Sequence, residues 1–410
     1  MTKTTQYKNT PIGPIPTEWE VKKLGELGEF KNGINKDKED FGFGFPMVNL
    51  MDIFGINILN HTSGLSSLVN ASNNDLENYN LKKGDVIFVR SSVKPSGVGL
   101  TTLINNDFDN VVYSGFLIRF RSNSIFLDHN FKTHCFYADY FRNKLISKST
   151  ISANTNINQV ALSSLPLIIP PLPEQQKIAE ILSTWDKAIQ ETDAIIKKLV
   201  DRNKALAFSL LRGKMVSKNS KEIALSKFLT FTPREIDKPT ENYLALGIRS
   251  HGKGLFHKPD SDPKTIAMDK LYEVKENDFI VNITFAWEHA IAIVSKEDVG
   301  GLVSHRFPTY EIDTNQVKVE YFRHLILQPF FRKMLENISP GGAGRNRVLS
   351  KKDLLKLKVS IPTLLEQDKI AEILNTANQE VKQYQQKLEA LKLQKKGLMQ
   401  QLLTGKVRTV

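Results

Sequence analysis

The stretch EQQKIAEILSTWDKAIQETDAIIKKLVDRNKALAFSLLRGKM (Glu174–Met215) occurs a second time as EQDKIAEILNTANQEVKQYQQKLEALKLQKKGLMQQLLTGKV (Glu366–Val407). The offset is 192 residues between Glu174 and Glu366 and again 192 between Leu210 and Leu402. The two copies therefore align over this whole length without a gap. Such strict register is typical of helices that pack along every turn, and it is not expected of loops.

Apolar residues recur at alternating spacings of three and four along both copies. This spacing is a heptad seam, which predicts two helices of about 40 residues, each roughly 60 Å long. The predicted seam residues are Leu182, Trp185, Ile189, Ile196, Leu199, Leu206, Leu374, Val381, Tyr384, Leu388, Leu391 and Leu398.

The connector between the two helices indicates how they pair. It is a segment of about 150 residues, which corresponds to a compact domain with a radius of gyration near 15 Å. Such a domain leaves its two ends close together, so antiparallel pairing is favoured. Asn203 and Lys395 interrupt the seam. In an antiparallel pair they would not face each other, and each must be locally paired or solvated.

The chain outside the helices is also repeated. YNLKKGDVIF (Tyr79–Phe88) matches YEVKENDFIV (Tyr272–Val281), and LIIPPLP before the first helix matches VSIPTLL before the second. Short apolar runs broken by Gly, Asn and Asp, such as Asp85–Arg90, Gly99–Ile104 and Phe116–Arg121, predict strands. Residues 1–20 are expected to be an extended lead-in, and His129–Ile146 has helical spacing.

The fold class expected from these patterns is α+β, with two mixed, mostly β globular domains separated by two long helices. The helices pair as an antiparallel coiled coil, and the whole has pseudo-two-fold symmetry. The predicted boundaries are 1–160 for the first domain, 174–213 for the first helix, 217–350 for the second domain and 366–405 for the second helix.

The composition limits the function. The 410 residues are 40% hydrophobic and 24% charged, and the net charge of +12 with a pI near 9.4 favours a polyanionic partner. A single cysteine, Cys135, rules out an internal disulfide framework and a Cys-based zinc site, and an apolar packing role is expected for it. Without an apolar leader or a membrane-length apolar run, the chain is expected in the cytoplasm and away from membranes.

Catalytic motifs are missing from the sequence. Gly213-Lys214 and Gly405-Lys406 are not followed by Ser or Thr, so no phosphate-binding loop is formed. Pro170-Pro171 follows Ile169 and not the Asp or Asn of the motif that amino-methyltransferases use. The scattered histidines predict no metal site.

Polar, basic, glycine-containing loops recur in both domains. Arg and Lys can neutralise phosphates, Asn can hydrogen-bond adenine, and Gly lets a backbone approach closely. For one loop an ordinary surface turn is an equal alternative, but the recurrence beside a basic net charge favours DNA. The candidate DNA-binding residues are Lys31, Asn32, Lys36, Arg90, Ser91, Ser92, Lys94, Asn154, Asn156, Arg249, His251, Lys253, Lys258, Arg345, Asn346 and Arg347.

The motifs LIIPPLPEQQKIAEIL (Leu167–Leu182), VSIPTLLEQDKIAEIL (Val359–Leu374) and PIGPIPTEW (Pro11–Trp19), with the LLRGK and LLTGK helix ends, resemble the specificity subunit of type I restriction–modification enzymes. The resemblance covers nearly the whole chain. The second copy departs at Thr363-Leu364, and its domain lacks the Pro–Trp lead-in.

The resemblance implies a non-catalytic subunit that recognises an asymmetric, two-part sequence in double-stranded DNA through two target recognition domains. The expected partners are two DNA adenine methyltransferase (modification) subunits and ATP-dependent restriction subunits. This chain would bind no cofactor, with S-adenosylmethionine, ATP and Mg on the partners. An alternative from the residues alone is a coiled-coil scaffold or adaptor whose variable domains bind protein.

Overall fold

A computed structural model describes residues 6–123, 125–212, 219–341 and 347–409 of the chain. The chain divides into two compact units. The first unit is Met1–Thr192 with Lys387–Val410, and the second unit is Asp193–Gln386. Each unit therefore contains one globular domain and a part of each long helix. Residues 6–169 are called the first domain and residues 219–361 the second domain.

The first domain is a mixed structure of short strands and short helices. Its five-stranded sheet has the order β4-β12-β8-β10-β6, and smaller sheets of two or three strands surround it. The strands are β1 (Tyr7–Thr10), β2 (Gly13–Pro16), β3 (Glu20–Lys23), β4 (Gly28–Asn32), β5 (Phe41–Val48), β6 (Ile58–Leu59), β7 (Leu68–Val69), β8 (Val86–Val89), β9 (Ser91–Ser92), β10 (Thr101–Ile104), β11 (Val112–Tyr113), β12 (Leu117–Ser122), β13 (Thr150–Ile151), β14 (Thr155–Asn156) and β15 (Pro166–Ile169). The helices are α1 (Leu24–Leu27), α2 (Leu50–Ile53), α3 (Asn73–Asn78), α4 (Asp139–Ser147) and α5 (Gln159–Ser163).

The second domain has two larger sheets, in the orders β17-β25-β22-β23 and β18-β21-β24-β19-β20. Its strands are β16 (Lys221–Ala224), β17 (Leu229–Phe231), β18 (Glu235–Asp237), β19 (Tyr243–Ile248), β20 (Leu255–Ser261), β21 (Lys270–Glu273), β22 (Phe279–Val281), β23 (Ile291–Ile293), β24 (Leu302–Val303), β25 (Thr309–Ile312) and β26 (Lys358–Ile361). Its helices are α7 (Val319–Ile326), α8 (Pro329–Asn337) and α9 (Lys351–Lys356). The three strands predicted in the first domain are confirmed as β8, β10 and β12.

The two long helices are α6 (Leu172–Leu210) and α10 (Leu364–Leu403), whose first residues are again 192 apart. The described residues after α6 stop at Arg212, so the predicted helix end at Gly213 lies outside them. A two-stranded sheet leads into each helix, β3 with β15 and β16 with β26. The segments Pro166–Ile169 and Lys358–Ile361, just before the helices, are therefore extended.

All twelve predicted seam residues are buried or half-buried, while their neighbours on the helices are mostly exposed. Within the first unit, Lys395 of α10 donates to Asp186 of α6 at 2.5 Å. Within the second unit, the amide of Asn203 on α6 donates to the carbonyl of Ala377 on α10 at 2.8 Å. Both polar seam residues are thus locally paired, which was one of the two options expected from the sequence.

A buried glutamine repeats its hydrogen bonds at the start of each long helix. Gln175 donates to the carbonyls of Phe126 and Pro170 and accepts from the backbone N–H of Asp128. In the second unit, Gln367 donates to the carbonyls of Gln316 and Pro362 and accepts from the N–H of Lys318. The side chain has no exposed surface in either unit. Each glutamine therefore fixes its helix to its own domain.

The N-terminal segment is more than the extended lead-in predicted, because β1 and β2 pair as an antiparallel hairpin. After it, Trp19 is completely buried and its indole N–H donates to Glu174 at 2.8 Å. The guanidinium of Arg408 forms two hydrogen bonds to the same carboxylate, at 2.7 and 3.0 Å. Glu174 thus joins the two ends of the described chain inside the first unit.

The single helix predicted over His129–Ile146 is wrong. Two 3-10 turns, Phe131–Thr133 and Cys135–Tyr137, precede α4, and Ala138 between them and α4 is extended. The apolar spacing reflects burial of Phe131, Cys135 and Phe136 in the core and not a continuous helix. The corresponding segment of the second domain is also divided, since α7 ends at Ile326 and α8 begins at Pro329.

Cys135 is buried in the core of the first domain, as expected, and burial raises the pKa of its thiol. Within the described ranges, no helix is long and apolar enough to cross a membrane.

Buried His134 makes the first unit sensitive to acid. Burial, and secondarily the positive charge of Lys395, lowers the pKa of this imidazole to about 3. The unfolded chain takes up this proton near pH 6.5 and the native state does not, so stability is lost as the pH falls below about 6.5. We expect a decrease of up to about 1.4 kcal/mol per pH unit from this residue. Urea denaturation at pH 7.5 and pH 5 measures it, and His134→Gln should show a smaller difference between the two.

Candidate nucleic-acid interface

The segment Ser114–Phe116 brings two of the predicted loops of the first domain together. The N–H of Gly115 donates to the carbonyl of Ile34 at 2.9 Å, which joins the Lys31–Lys38 loop. The N–H of Arg90 donates to the carbonyl of Phe116 at 2.9 Å, and its guanidinium donates to the carbonyl of Gly115 at 3.1 Å. Residues distant in sequence thus share one edge of the domain.

The third predicted loop joins the same place through strand pairing. Asn156 of β14 lies opposite Ser91 of β9, and Thr155 lies opposite Ser92. The carbonyl of Asn154 accepts from the amide of Asn156, so the loop is held by its own side chains. Among the candidates here, Lys94 and Asn154 are exposed, and Arg90, Ser91, Ser92 and Asn156 are half-buried.

Lys31 and Lys36 are engaged within the domain. Lys31 donates to Asn78 at 2.8 Å and lies over the ring of Tyr79. Lys36 forms an ion pair with Asp75 at 2.9 Å, and the hydrogen bond to this carboxylate raises the lysine's pKa. Both lysines therefore position α3 as well as adding positive charge. Asn32 lies on β4, opposite Ile118.

A buried aspartate holds the turn before the central strand in each domain. Asp85 accepts from the N–H of Lys82 and from the guanidinium of Arg121. In the second domain, Asp278 accepts from the N–H of Lys275 and pairs with Arg234. These anchors fix strands β8 and β22, whose C-terminal ends lead into the loops.

In the second domain, the β19–β20 hairpin presents four predicted residues at or near its tip. His251, at the turn, has a positive φ of 65°, which few non-glycine residues adopt. Its N–H donates to Glu288, and the N–H of Gly252 donates to His289 at 2.8 Å. The His289 ring in turn donates to the carbonyl of Ile326, so the hairpin tip is braced from beneath.

The cations of this hairpin surround an aromatic ring. Arg249 and Lys258 lie 5.2 and 5.5 Å from the centre of the Phe256 ring. Lys253, at the tip, is exposed. Aromatic rings can stack on bases, and the cations that lie over this ring can bind phosphates.

Arg347 stacks over Trp287 at 5.2 Å and donates to the carbonyl of Gly341. Arg345 and Asn346 lie outside the described residues. Trp287 and Arg306 were missed by the sequence reasoning. Arg306 is exposed and donates to the hydroxyl of Thr284 at 3.1 Å. An alignment of the internal repeat along the strands, and not only along the helices, would have identified Arg306.

Over the described parts of the chain, no group of three or more His, Cys, Asp or Glu side chains is arranged to hold a metal ion. The polar groups gathered at both domains suit hydrogen bonding and phosphate neutralisation.

Comparison with known proteins places these domains in a family. Residues 16–200 and 213–393 each match the type I restriction modification DNA specificity domain. A relative in Methanocaldococcus jannaschii, the putative type I restriction enzyme MjaX specificity subunit, is 23% identical over 99% of this chain and 97% of its own length. The StySPI specificity subunit of Salmonella potsdam is 23% identical over 87% of this chain and 81% of its own length.

Solved structures share the fold. A chain from a structure of the type I R-M system superposes with a TM-score of 0.62 at 14% identity, covering 96% of this chain and 99% of that one. The HsdS subunit of Thermoanaerobacter tengcongensis gives 0.50 at 15% identity, covering 97% and 100%. The two matched segments together span most of the sequence, and the chain therefore belongs to the type I restriction-modification DNA specificity family, whose domain it carries twice.

Proposed function

We propose that the chain recognises an asymmetric, two-part sequence in double-stranded DNA, one part with each domain. The chain is a specificity subunit and not the catalytic part of its system. The observation that carries the proposal is that two copies of one domain, attached alike to repeated helices, present unlike loops. Arg90, Ser91 and Asn156 meet in the first domain, whereas Arg249, Lys258 and Phe256 meet in the second.

The net charge of +12 supports DNA as the partner, because phosphate neutralisation supplies much of the affinity of such complexes. In each domain the candidate residues lie on loops and on the short strands beside them, next to strands that the buried Asp85 and Asp278 hold. Rigid positioning of a few polar side chains is what base recognition requires.

The long helices set the spacing in this proposal. They form one antiparallel coiled coil, with a recognition domain at each end and a pseudo-two-fold axis between them. The antiparallel contacts Lys395–Asp186 in the first unit and Asn203–Ala377 in the second support it. Half-sites about 10 bp apart, centre to centre, would put both domains on one face of the duplex. The helix length sets a ceiling near 17 bp.

Two DNA adenine methyltransferase subunits and the ATP-dependent restriction subunits are the proposed protein partners. A groove of about 1120 Å³ in the second unit supports a docking role for the helices. Phe208 of α6, Val381 of α10 and Leu327 line it, and Phe208 is half exposed. S-adenosylmethionine, ATP and Mg are assigned to these partners in the cytoplasm, and this chain holds none of them.

Co-purification and methylome sequencing test the proposal together. The tagged full chain should bring down a methyltransferase from its own cells, and deletion of the gene should remove one asymmetric, two-part methylation motif. If no methyltransferase co-purifies and the methylome is unchanged, the protein-binding scaffold is the better account.

The exposed Lys94 offers a salt test. Lys94→Ala should weaken binding to target and scrambled duplexes alike and lower the slope of log affinity against log salt by about 0.9, since one phosphate contact is lost. Asn154→Ala is the matched uncharged control and should leave the slope unchanged. Binding by the wild-type complex that did not respond to salt would contradict DNA recognition.

A further inference from the structure

The internal repeat identifies which loop residues of the two domains are equivalent. Val86 pairs with Phe120 across β8 and β12, and Phe279 pairs with Tyr310 across β22 and β25. The anchoring Asp85 and Asp278 directly precede Val86 and Phe279. These strands are therefore the same element in each domain, and residues can be compared one by one along them.

Two hydrogen bonds that occur in both domains extend this equivalence into the loops. The N–H of Arg90 donates to the carbonyl of Phe116 at 2.9 Å, and the N–H of Ile283 donates to the carbonyl of Arg306 at 3.0 Å. The carbonyl of Arg90 accepts from Ile157 and that of Ile283 accepts from Leu349, at 3.0 and 2.8 Å. Arg90 thus corresponds to Ile283, and Phe116 corresponds to Arg306.

The cation of this pair of positions is at the first position in the first domain and at the second position in the second domain. The first domain has a cation at position 90 and an aromatic ring at 116, whereas the second has an aliphatic side chain at 283 and a cation at 306. Phe116 is 59% exposed although it directly precedes the core strand β12. Arg306 is exposed and its guanidinium is directed to the hydroxyl of Thr284.

Other exposed apolar side chains belong to the segments that contact the Ser114–Phe116 segment. Val93 is 81% exposed one residue after β9, and Met51 is 83% exposed on α2, whose capping Asn49 accepts from the hydroxyl of Ser114. The residues around them are cationic. Segments 31–38, 90–97 and 148–156 together contain six Lys or Arg residues and one acidic residue. Apolar side chains within a positive rim fit a nucleic acid, because cations bind its phosphates while apolar groups reach its bases.

We infer that Phe116 packs directly against bases at an opened or distorted step of its half-site, while Arg306 at the equivalent position binds phosphate in the other half-site. The inference rests on the proposed function and goes further, because it assigns the two domains different modes of contact. One half-site would be deformed by an apolar wedge, and the other would be held by charge.

The two modes differ in how they respond to salt and to substitution. Loss of an aromatic side chain that stacks on a base reduces affinity by about 5- to 100-fold and releases no counterions. Loss of one phosphate-binding cation lowers the slope of log affinity against log salt by about 0.9. Phe116→Ala should therefore change affinity without changing the slope, and Arg306→Ala should change both.

The test uses the full chain assembled with its modification subunits and a duplex that carries the motif found by methylome sequencing. 2-Aminopurine replaces each base of the two half-sites in turn, because its fluorescence rises when it is unstacked. Wild type should give an increase in the half-site of the first domain. Phe116→Ala should abolish that increase, and Phe116→Leu should retain part of it.

Reciprocal variants sharpen the test. Phe116→Arg should raise the salt slope by about 0.9. Arg306→Phe should lower the slope by the same amount. Phe43→Ala is the matched control, since Phe43 is 52% exposed in the same domain and lies outside the three loops; it should behave as wild type.

The outcomes separate the two proposals. A wild-type complex that binds its motif no better than a scrambled duplex would overturn the proposed function itself. Specific binding by wild type, with affinity and fluorescence unaffected by Phe116→Ala, would overturn this inference alone. Assembly of each variant with the modification subunits shows that it is folded before its binding is compared.

Discussion

Arg408→Ala is expected to destabilise the first unit by about 3–5 kcal/mol, because it leaves a buried carboxylate without its cation. Glu174 is 1% exposed and accepts two hydrogen bonds from this guanidinium. The indole N–H of Trp19 would remain, but it carries no charge. Urea unfolding and hydrogen exchange in the Pro11–Trp19 segment measure the loss, which should appear in both.

Two variants control for this effect. Arg202→Ala removes an exposed Arg–Glu pair, to Glu380, and should cost less than about 1 kcal/mol. Adding Glu174→Gln to Arg408→Ala removes the uncompensated charge and should recover part of the stability. If Arg408→Ala and Arg202→Ala had equally small effects, the buried pair would not be what joins the chain ends.

Gln175→Ala should cost about 2–4 kcal/mol, since it leaves three backbone groups without their partner. The groups are the carbonyls of Phe126 and Pro170 and the N–H of Asp128. Gln367→Ala should have a similar effect in the second unit, where the same three bonds recur. Thermal unfolding of both single variants gives the comparison.

Gln175→Glu distinguishes hydrogen bonding from packing. The glutamate has the same shape, but at neutral pH it cannot donate to the two carbonyls, so it should be at least as destabilising as alanine. Gln190→Ala, at an exposed site on the same helix, is the control and should change stability by less than about 0.5 kcal/mol. A well-tolerated Gln175→Glu would contradict this role.

The long helices could be predicted because their signal is local and repeated. The heptad spacing and the constant offset of 192 residues gave both helices, and α6 begins two residues before the predicted Glu174. The strands at Val86–Val89 and Leu117–Ser122 were equally readable, since buried apolar runs ended at polar turns.

The long-range contacts could not be read from the sequence in the same way. Glu174 and Arg408 are far apart in sequence, and no pattern in either stretch predicts their pairing. The 3-10 turns before α4 mimic helical spacing, because core burial alone places Phe131 and Cys135. The apolar run predicted Phe116 as the first residue of a strand, whereas in the structure it precedes β12 and is exposed.

Exchange of one domain tests the central claim most directly. Residues 21–150 would be replaced by the matching segment of a relative with a different motif, and the methylome would then be sequenced. If each domain recognises its half-site independently and the helices set the spacing, one half-site should change. The other half-site and the spacing should stay as they were. A motif in which both halves changed, or neither did, would contradict the account.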